Sequence, residues 1–263
     1  MNKNSKYVML SFDAEEFDIP CEQGRSISIE EQIRVSNEGT NRILDILRAE
    51  EISATFFCTT TLLLNAPNLA ERIICEGHEM ASHGCNHTNP LEEHMVESKK
   101  ILETTFRVNI YGYRQPRMAI VEDSVLKREG YTYNSSINPT FIPGRYNHLN
   151  TSRIPFIKDS VLQIPISVTP WFRFPLFWLS AHHLPMCVYE TLVRRTLRYD
   201  GYVNTYFHPW EFVDIHKSNY GVPYIIKHNT GEQMELRLRH LIKMLKVENA
   251  EFITYHKFSK LYT

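Results

Sequence analysis

Short apolar runs alternate along the chain with longer stretches whose apolar positions recur every three or four residues. "YVMLSF" (7–12) is an unbroken buried-strand run, and "ATFFC" (54–58) repeats it with β-branched and aromatic residues. Further strand-like runs stand at 78–83, 110–114, 131–136, 161–167, 202–207 and 251–255. Between the first two, a long polar loop leads into "NEGTNRILDILRAEE", where Ile43, Leu44 and Leu47 fall at helical spacing. Helical stretches at 68–77, 90–107, 121–130, 186–199 and 231–246 complete the series, the first capped by Gly77. About seven strands alternating with helices predict a parallel sheet covered by helices. No linker, composition shift or tandem repeat interrupts the series, so residues 1–263 read as one domain.

Closing such a sheet gives a (β/α) barrel, whose chemistry lies at the C-terminal ends of its strands. Ionisable residues stand there repeatedly. Asp13 and Glu15 follow the first strand, His83 ends the third with His87 four residues on, Arg114 follows 110–113, and His208 follows 202–207. On a helical turn, the spacing in "SHGCNHT" would put His83 and His87 on one face, able to share a metal ion. Chance supplies about half a pair at this spacing among 12 histidines, so the motif needs support. Asp13 and Glu15 supply it, because residues two apart in an extended segment share a face. Two histidines and a carboxylate leave positions open for water and substrate. Glu16 and Asp18, the remaining acids of "DAEEFD", read as a solvated loop.

Composition narrows the partners. The 263 residues carry a net charge of -1, without the basic stripe of a nucleic-acid protein. Five scattered cysteines with no CxxC pair argue against a disulfide framework and a thiolate zinc site. No run reaches the roughly 20 apolar residues of a membrane span, and no signal segment precedes the first strand, which points to a soluble, cytoplasmic protein. Aromatic residues concentrate in "TPWFRFPLFWLSAHHLP" (169–185). Trp171, Phe172 or Trp178 could border a ligand cleft, pack as core, or touch lipid beside Arg173. Trp210, two residues after His208, is the better wall for a pocket.

Taken in order, "SFDAEEF" (11–17), "SHGCNHT" (82–88), "GYRQPRM" (112–118), "GYTYNSS" (130–136) and "YFHPWEF" (206–212) resemble the polysaccharide deacetylases, carbohydrate esterases with the NodB-homology fold. "GYRxP", "YxSS" and "HPWEF" together are most similar to the branch associated with bacterial exopolysaccharide biosynthesis. The resemblance implies a distorted or incomplete (β/α)7-type barrel, in agreement with the strand count. It implies Asp13 as catalytic base, Arg114 as its partner, His208 as general acid, and His83 and His87 as metal ligands. Most members of the family carry Asp-Asp where this chain has Asp13-Ala14. Alanine cannot ligate, and the shared-face argument makes Glu15 the replacement ligand, with an exchange of roles between Asp13 and Glu15 left open. Asn134 stands where related branches often have Asp, so the charge around the acid histidine is expected to differ. Tyr131, Trp171 and Trp210 are the candidate sugar contacts.

The implied activity is metal-assisted removal of N-acetyl groups from an amino sugar in a polysaccharide, oligosaccharide or lipid-linked glycan. One divalent ion is expected, zinc by default, with cobalt, nickel, manganese and iron as alternatives. The partners follow: a carbohydrate, no nucleic acid, no membrane span but contact with a lipid-linked substrate, and an oligomeric state left open. Two other readings compete. One is an amidase on the same fold acting on a ureide or cyclic imide. The other is an inactive sugar-binding homologue, motivated by Ala14.

Overall fold

The first strand shows how this sequence builds its fold. β1 (Tyr7–Ala14) is buried at every residue, and its two faces differ in kind. Val8, Leu10, Phe12 and Ala14 join the main apolar core, whereas Tyr7 and Met9 join a second, smaller one. That alternation fixes the direction of Asp13, which shares the face of Tyr7 and Met9. The structure, a computed structural model, describes residues 5–119, 121–216 and 220–262.

Ten more strands follow: β2 (Thr55–Cys58), β3 (Glu79–Ser82), β4 (Gly112–Tyr113), β5 (Tyr133–Asn134), β6 (Phe141–Ile142), β7 (Tyr146–Asn147), β8 (Phe156–Lys158), β9 (Val161–Gln163), β10 (Tyr202–Phe207) and β11 (Glu251–Phe252). One sheet has the order β10-β1-β2-β3-β4-β5-β9-β8, with β11 also paired to β1, and β6 and β7 form a separate hairpin. Its pairs are parallel except β8–β9. The β1 register sets Phe12 beside Phe207 on one side and Phe56 on the other. The sheet curls towards closure between β9 and β10 without a regular strand pair. There Ser167 donates its N–H to the Asn204 carbonyl at 2.9 Å, and Asn204 N–H returns a bond to Ser167 Oγ at 2.8 Å. This is the distorted, incomplete barrel expected from the sequence.

Eleven helices are described: α1 (Ile19–Glu22), α2 (Ile29–Ala49), α3 (Thr60–Asn65), α4 (Pro67–Cys75), α5 (Glu93–Phe106), α6 (Asp123–Arg128), α7 (Trp178–His183), α8 (Met186–Asp200), α9 (Tyr224–Lys227), α10 (Glu232–Val247) and α11 (Tyr255–Ser259). Among the described residues, no helix is long and apolar enough to cross a membrane. Tyr255 and Phe258 of α11 pack with Tyr7, Phe57 and Tyr133 in the smaller core.

Three expectations need correction. The polar loop before the first long helix is shorter than expected, because α2 begins at Ile29. Ser28 caps it, its hydroxyl accepting from Glu31 N–H at 3.3 Å. The packing face of that first half includes Ser36, Gly39 and Thr40, small or polar residues that hide the apolar period. Gly39 is required there. A Cβ at this position would stand 1.9 Å from the Pro209 carbonyl oxygen, so the helix lies directly on the backbone that follows β10. The second correction concerns 161–167, where regular pairing ends at Gln163 and the buried remainder closes the barrel irregularly. The third is that the aromatic stretch 169–185 is not one loop, since its second half forms α7.

Candidate active site

The predicted residues gather at the C-terminal rim of the sheet, as strand order requires. Asp13 near the end of β1 and Glu15 just past it both face the cavity, while Ala14 between them packs in the apolar core. A ligand at position 14 would therefore point away from the cleft. His83 and Arg114 follow β3 and β4 directly, and His208 follows β10. Asp13, Glu15, His83, His87 and His208 line one cavity of about 250 Å³.

His83 and His87 meet, but not on a helical turn. The segment after β3 is a loop in which Gly84 takes φ +77°, a left-handed conformation suited to glycine. It brings the two rings within 6.1 Å, nearly parallel. Each imidazole is held from behind. His83 Nδ1 lies 2.8 Å from the Arg114 carbonyl oxygen, and His87 Nδ1 lies 2.9 Å from Asp18 Oδ1. Both partners are acceptors, so each Nδ1 carries a hydrogen, and in a neutral ring so held Nε2 presents a lone pair. The two Nε2 atoms converge on Glu15 Oε2, at 3.0 Å from His83 and 3.4 Å from His87.

Three acceptors facing one another, with buried side chains and donor atoms all within 4.8 Å, call for a positive charge between them. A divalent cation fits this donor set, and imidazole with carboxylate suits zinc, cobalt, nickel, manganese or iron. Without a cation the charge falls on a proton. Burial works against the His87 imidazolium, but Glu15 and Asp18 outweigh it and raise its pKa to about 9.

Glu16 and Asp18 are not the solvated pair expected from the sequence. Both are buried, with 2% and 1% of their surface exposed. Glu16 accepts from His87 N–H at 2.7 Å and from Thr59 Oγ1 at 2.8 Å, fixing the loop that carries His87. Asp18 accepts from Thr88 Oγ1 at 2.9 Å as well as orienting the His87 ring. Burial would raise the Asp18 carboxyl, yet His87, Thr88 and Arg117 hold it below its ordinary value.

Asp13 sits on the other polar set. Its Oδ1 accepts from Arg114 Nη1 at 2.5 Å, with both side chains buried. The guanidinium also donates to Ser135 O and Oγ at 3.1 Å each and to Tyr255 Oη at 2.7 Å, and lies 4.0 Å from the centre of the Phe57 ring. Burial alone would lift the Asp13 carboxyl. Arg114, His83 and His208 overcome that and keep it below the usual carboxylate range.

His208 completes the rim, with a partner that the sequence reading missed. Its Nδ1 lies 2.8 Å from Glu211 Oε1, and the other oxygen of that carboxylate lies 2.8 Å from His182 Nε2. Glu211 and His182 are both fully buried. Burial opposes a charged His208 ring, but Glu211, Glu15 and Asp13 raise its pKa. Burial likewise lifts Glu211, and His182 with His208 overcome it. The signal was present in "HPWE": the acid three residues after His208 closes a capping box on His208 N–H at 2.5 Å. Asn134, the site of the expected difference, bonds Gln163 at 2.9 Å and Ser136 instead. Glu211 supplies the charge.

Of the three expected sugar contacts, the structure brings one to the cleft. Trp210 lines it, stacked on the His208 ring at 5.4 Å and 19°. Tyr131 is buried with its hydroxyl on the Met95 carbonyl at 2.7 Å, outside the cavity wall. Trp171 is 78% exposed and borders a different groove. Trp178, named with Trp171 and Phe172 as a candidate cleft border, does line it, and Met118, Tyr146 and Phe177 complete the apolar wall.

The polysaccharide deacetylase family model matches residues 1–134, half of the chain. The chain belongs to the polysaccharide deacetylase family. Among curated relatives of this deacetylase-family chain, an uncharacterised 30.6 kDa protein of Geobacillus stearothermophilus is 31% identical over 107 residues, 38% of this chain and 40% of that protein. A chitooligosaccharide deacetylase of Bradyrhizobium is 42% identical over 48 residues, 18% of this chain and 22% of that one. The matched segments thus span less than half the length of either relative. Among solved structures, one assigned as a polysaccharide deacetylase of Mycobacterium smegmatis superposes with a TM-score of 0.68 at 18% identity, covering 98% of this chain and 90% of that chain. Puue allantoinase gives 0.66 at 14%, covering 98% and 90%. A pseudoenzyme of the same family from Bacillus anthracis gives 0.55 at 14%, covering 98% and 66%. At these identities the structures share the fold with this deacetylase-family chain, and its chemistry has to be argued from its own residues.

Proposed function

We propose that the chain is a metal-dependent hydrolase that removes N-acetyl groups from an amino sugar carried on a polysaccharide, oligosaccharide or lipid-linked glycan. One observation carries the reading: a three-donor set able to take a cation, a carboxylate whose pKa arginine helps to lower, and an imidazole whose pKa a carboxylate helps to raise all face one cavity. Glu15, His83 and His87 would hold the ion. A cation bound there would supply Lewis acidity, polarising an acetamide carbonyl and lowering the pKa of water towards neutrality.

The remaining chemistry belongs to the side chains. Asp13, kept ionised by Arg114, accepts the proton of the attacking water. His208, with Nδ1 fixed on Glu211, points Nε2 at the cleft and gives a proton to the departing amine, a poor leaving group until protonated. Trp210 and Trp178 shield His208 and offer flat apolar faces to the sugar ring. The cavity, about 250 Å³, suits a single acetamido sugar residue. Ala14 lends no support to an inactive homologue, because Glu15 already presents a carboxylate to both imidazoles.

The test is acetate release from N-acetylglucosamine oligosaccharides by zinc-loaded protein, by chelator-stripped protein, and by stripped protein reloaded with metal. Release that follows the metal is expected. Ring opening of a cyclic ureide without any acetate release would move the assignment to the amidase reading.

A further inference from the structure

Trp171 and Phe172 occupy the tip of a turn pinned by an isolated antiparallel bridge between Val168 and Pro175. They are 78% and 92% exposed, and no other large apolar residue described here is as open as Phe172. The turn is nonetheless held firmly. Phe174 N–H donates to Thr169 Oγ1 at 3.0 Å, and Arg173 donates to the carbonyls of Pro139 and Thr151 at 3.1 and 2.7 Å. Arg173 itself takes φ +50°, a strained backbone conformation for this residue type. A fold that spends bonds and strain to push two large apolar rings into water is presenting them to something.

The surroundings indicate what that is. Tyr199, 60% exposed, meets Trp171 edge-on at 5.9 Å, and Phe141 on the β6–β7 hairpin is 53% exposed. A groove of about 660 Å³ beneath the turn is lined by apolar and hydroxyl side chains and one charge, Arg195. Arg195 and Arg145, the latter on the hairpin, pair with no carboxylate among the described residues. Apolar rings at a tip, over a groove whose one charge is Arg195 and whose lining holds no acid, complement an apolar layer under a negative surface; Arg145 stands exposed on the hairpin whose base, Thr140, donates to the Arg173 carbonyl at 2.6 Å.

We infer that this face docks the protein onto bilayers containing anionic lipid, with Trp171 and Phe172 entering the boundary between headgroups and acyl chains. The docking stands on the surface alone. Its consequence rests on the deacetylase reading: Ile142, Arg145 and Tyr146 of the same hairpin line the catalytic cavity, so docking sets the cleft mouth beside the lipid surface. A glycan anchored to lipid would be reached there.

Co-sedimentation of the intact chain with phosphatidylcholine vesicles, with and without phosphatidylglycerol, tests the docking. Binding to the anionic vesicles is expected, weakening as salt screens the arginines. Joint substitution of Trp171→Ala and Phe172→Ala should reduce partitioning by about 10- to 100-fold. Arg145→Ala with Arg195→Ala should remove the preference for phosphatidylglycerol. Brominated lipid should quench wild-type tryptophan fluorescence and leave Trp171→Phe largely unquenched. Melting curves establish that the variants are folded. Absence of vesicle binding at low salt, or equal binding by the aromatic double variant, overturns the inference. So does quenching by a soluble glycan without vesicle binding, or a dimer that the double variant dissolves without vesicle binding. Acetate release from a soluble oligosaccharide is read separately, so failed docking and failed chemistry remain distinguishable.

Discussion

Replacing Glu211 by glutamine changes the charge behind His208 and almost nothing of the shape. In the wild type one carboxylate oxygen serves His208 at 2.8 Å and the other serves His182 at 2.8 Å. Glutamine keeps one acceptor and turns the other into a donor, so one imidazole loses its partner. A hydrogen bond to a charged group is worth about 1.5–3 kcal/mol, and 1.36 kcal/mol is tenfold in rate. Turnover should therefore fall by about 10- to 150-fold if the lost partner is that of His208. The shape of the pH profile carries more information. Glu211 helps to raise the His208 pKa, so the alkaline limb of kcat should move to lower pH in Glu211→Gln and stay near its wild-type position in Glu211→Asp.

Stability follows from the same linkage, with opposite signs for the two partners. His208 is raised above its ordinary 6.5, so its contribution is complete below that pH and is lost as pH rises through the folded value. Glu211 is lowered below its ordinary 4.5, so its contribution is present above that pH and is lost as pH falls through the folded value. The stability gap between wild type and Glu211→Gln should be widest between about pH 4.5 and 6.5. Steady-state kinetics on one oligosaccharide and thermal melts across pH measure both effects. A variant with an unchanged alkaline limb and turnover within a factor of about two would refute the role given to Glu211.

The metal site and the base should separate cleanly. His83→Ala, His87→Ala and Glu15→Gln should lose stoichiometric metal by elemental analysis, while Asp13→Asn should keep metal and lose turnover by about 10²–10⁴-fold. Metal lost in Asp13→Asn and kept in Glu15→Gln would mean the two carboxylates have exchanged roles. Gly39→Ala reverses the ordinary rule for a helix interior. Alanine should gain about 1 kcal/mol in helix propensity, but its Cβ would meet the Pro209 carbonyl oxygen at 1.9 Å, and such overpacking costs about 1–3 kcal/mol. A lower melting temperature and reduced turnover are expected, because Pro209 adjoins His208; a higher melting temperature would contradict the close approach.

Much of the fold was readable because parallel strands buried on both faces leave continuous apolar runs, as "YVMLSF" and "YVNTYF" do. The positions of Asp13, His83, Arg114 and His208 followed from asking what stands after each run. The first half of α2 was hidden, since close packing against Pro209 favours small residues over an apolar stripe. β6, β7 and β8 are too short to show a period. Glu16 and Asp18 were misjudged for a different reason. A run of acids looks solvated until the loop after β3 folds over it, and sequence spacing alone does not report that His87 and Thr88 return to cover Asp18. The fate of the aromatic stretch was likewise tertiary: Trp178 enters the cleft as the first residue of α7, and Trp171 stays outside it at the tip of the preceding turn.

Arg114 fastens two halves of the site through different parts of one residue. Its guanidinium holds Asp13, while its backbone carbonyl holds the back of His83. A shift of Arg114 would therefore pull on the carboxylate and the imidazole together, because both are bonded to the same residue. Site geometry should therefore be lost with the fold and not before it, so activity and secondary structure should decay on heating at a common midpoint.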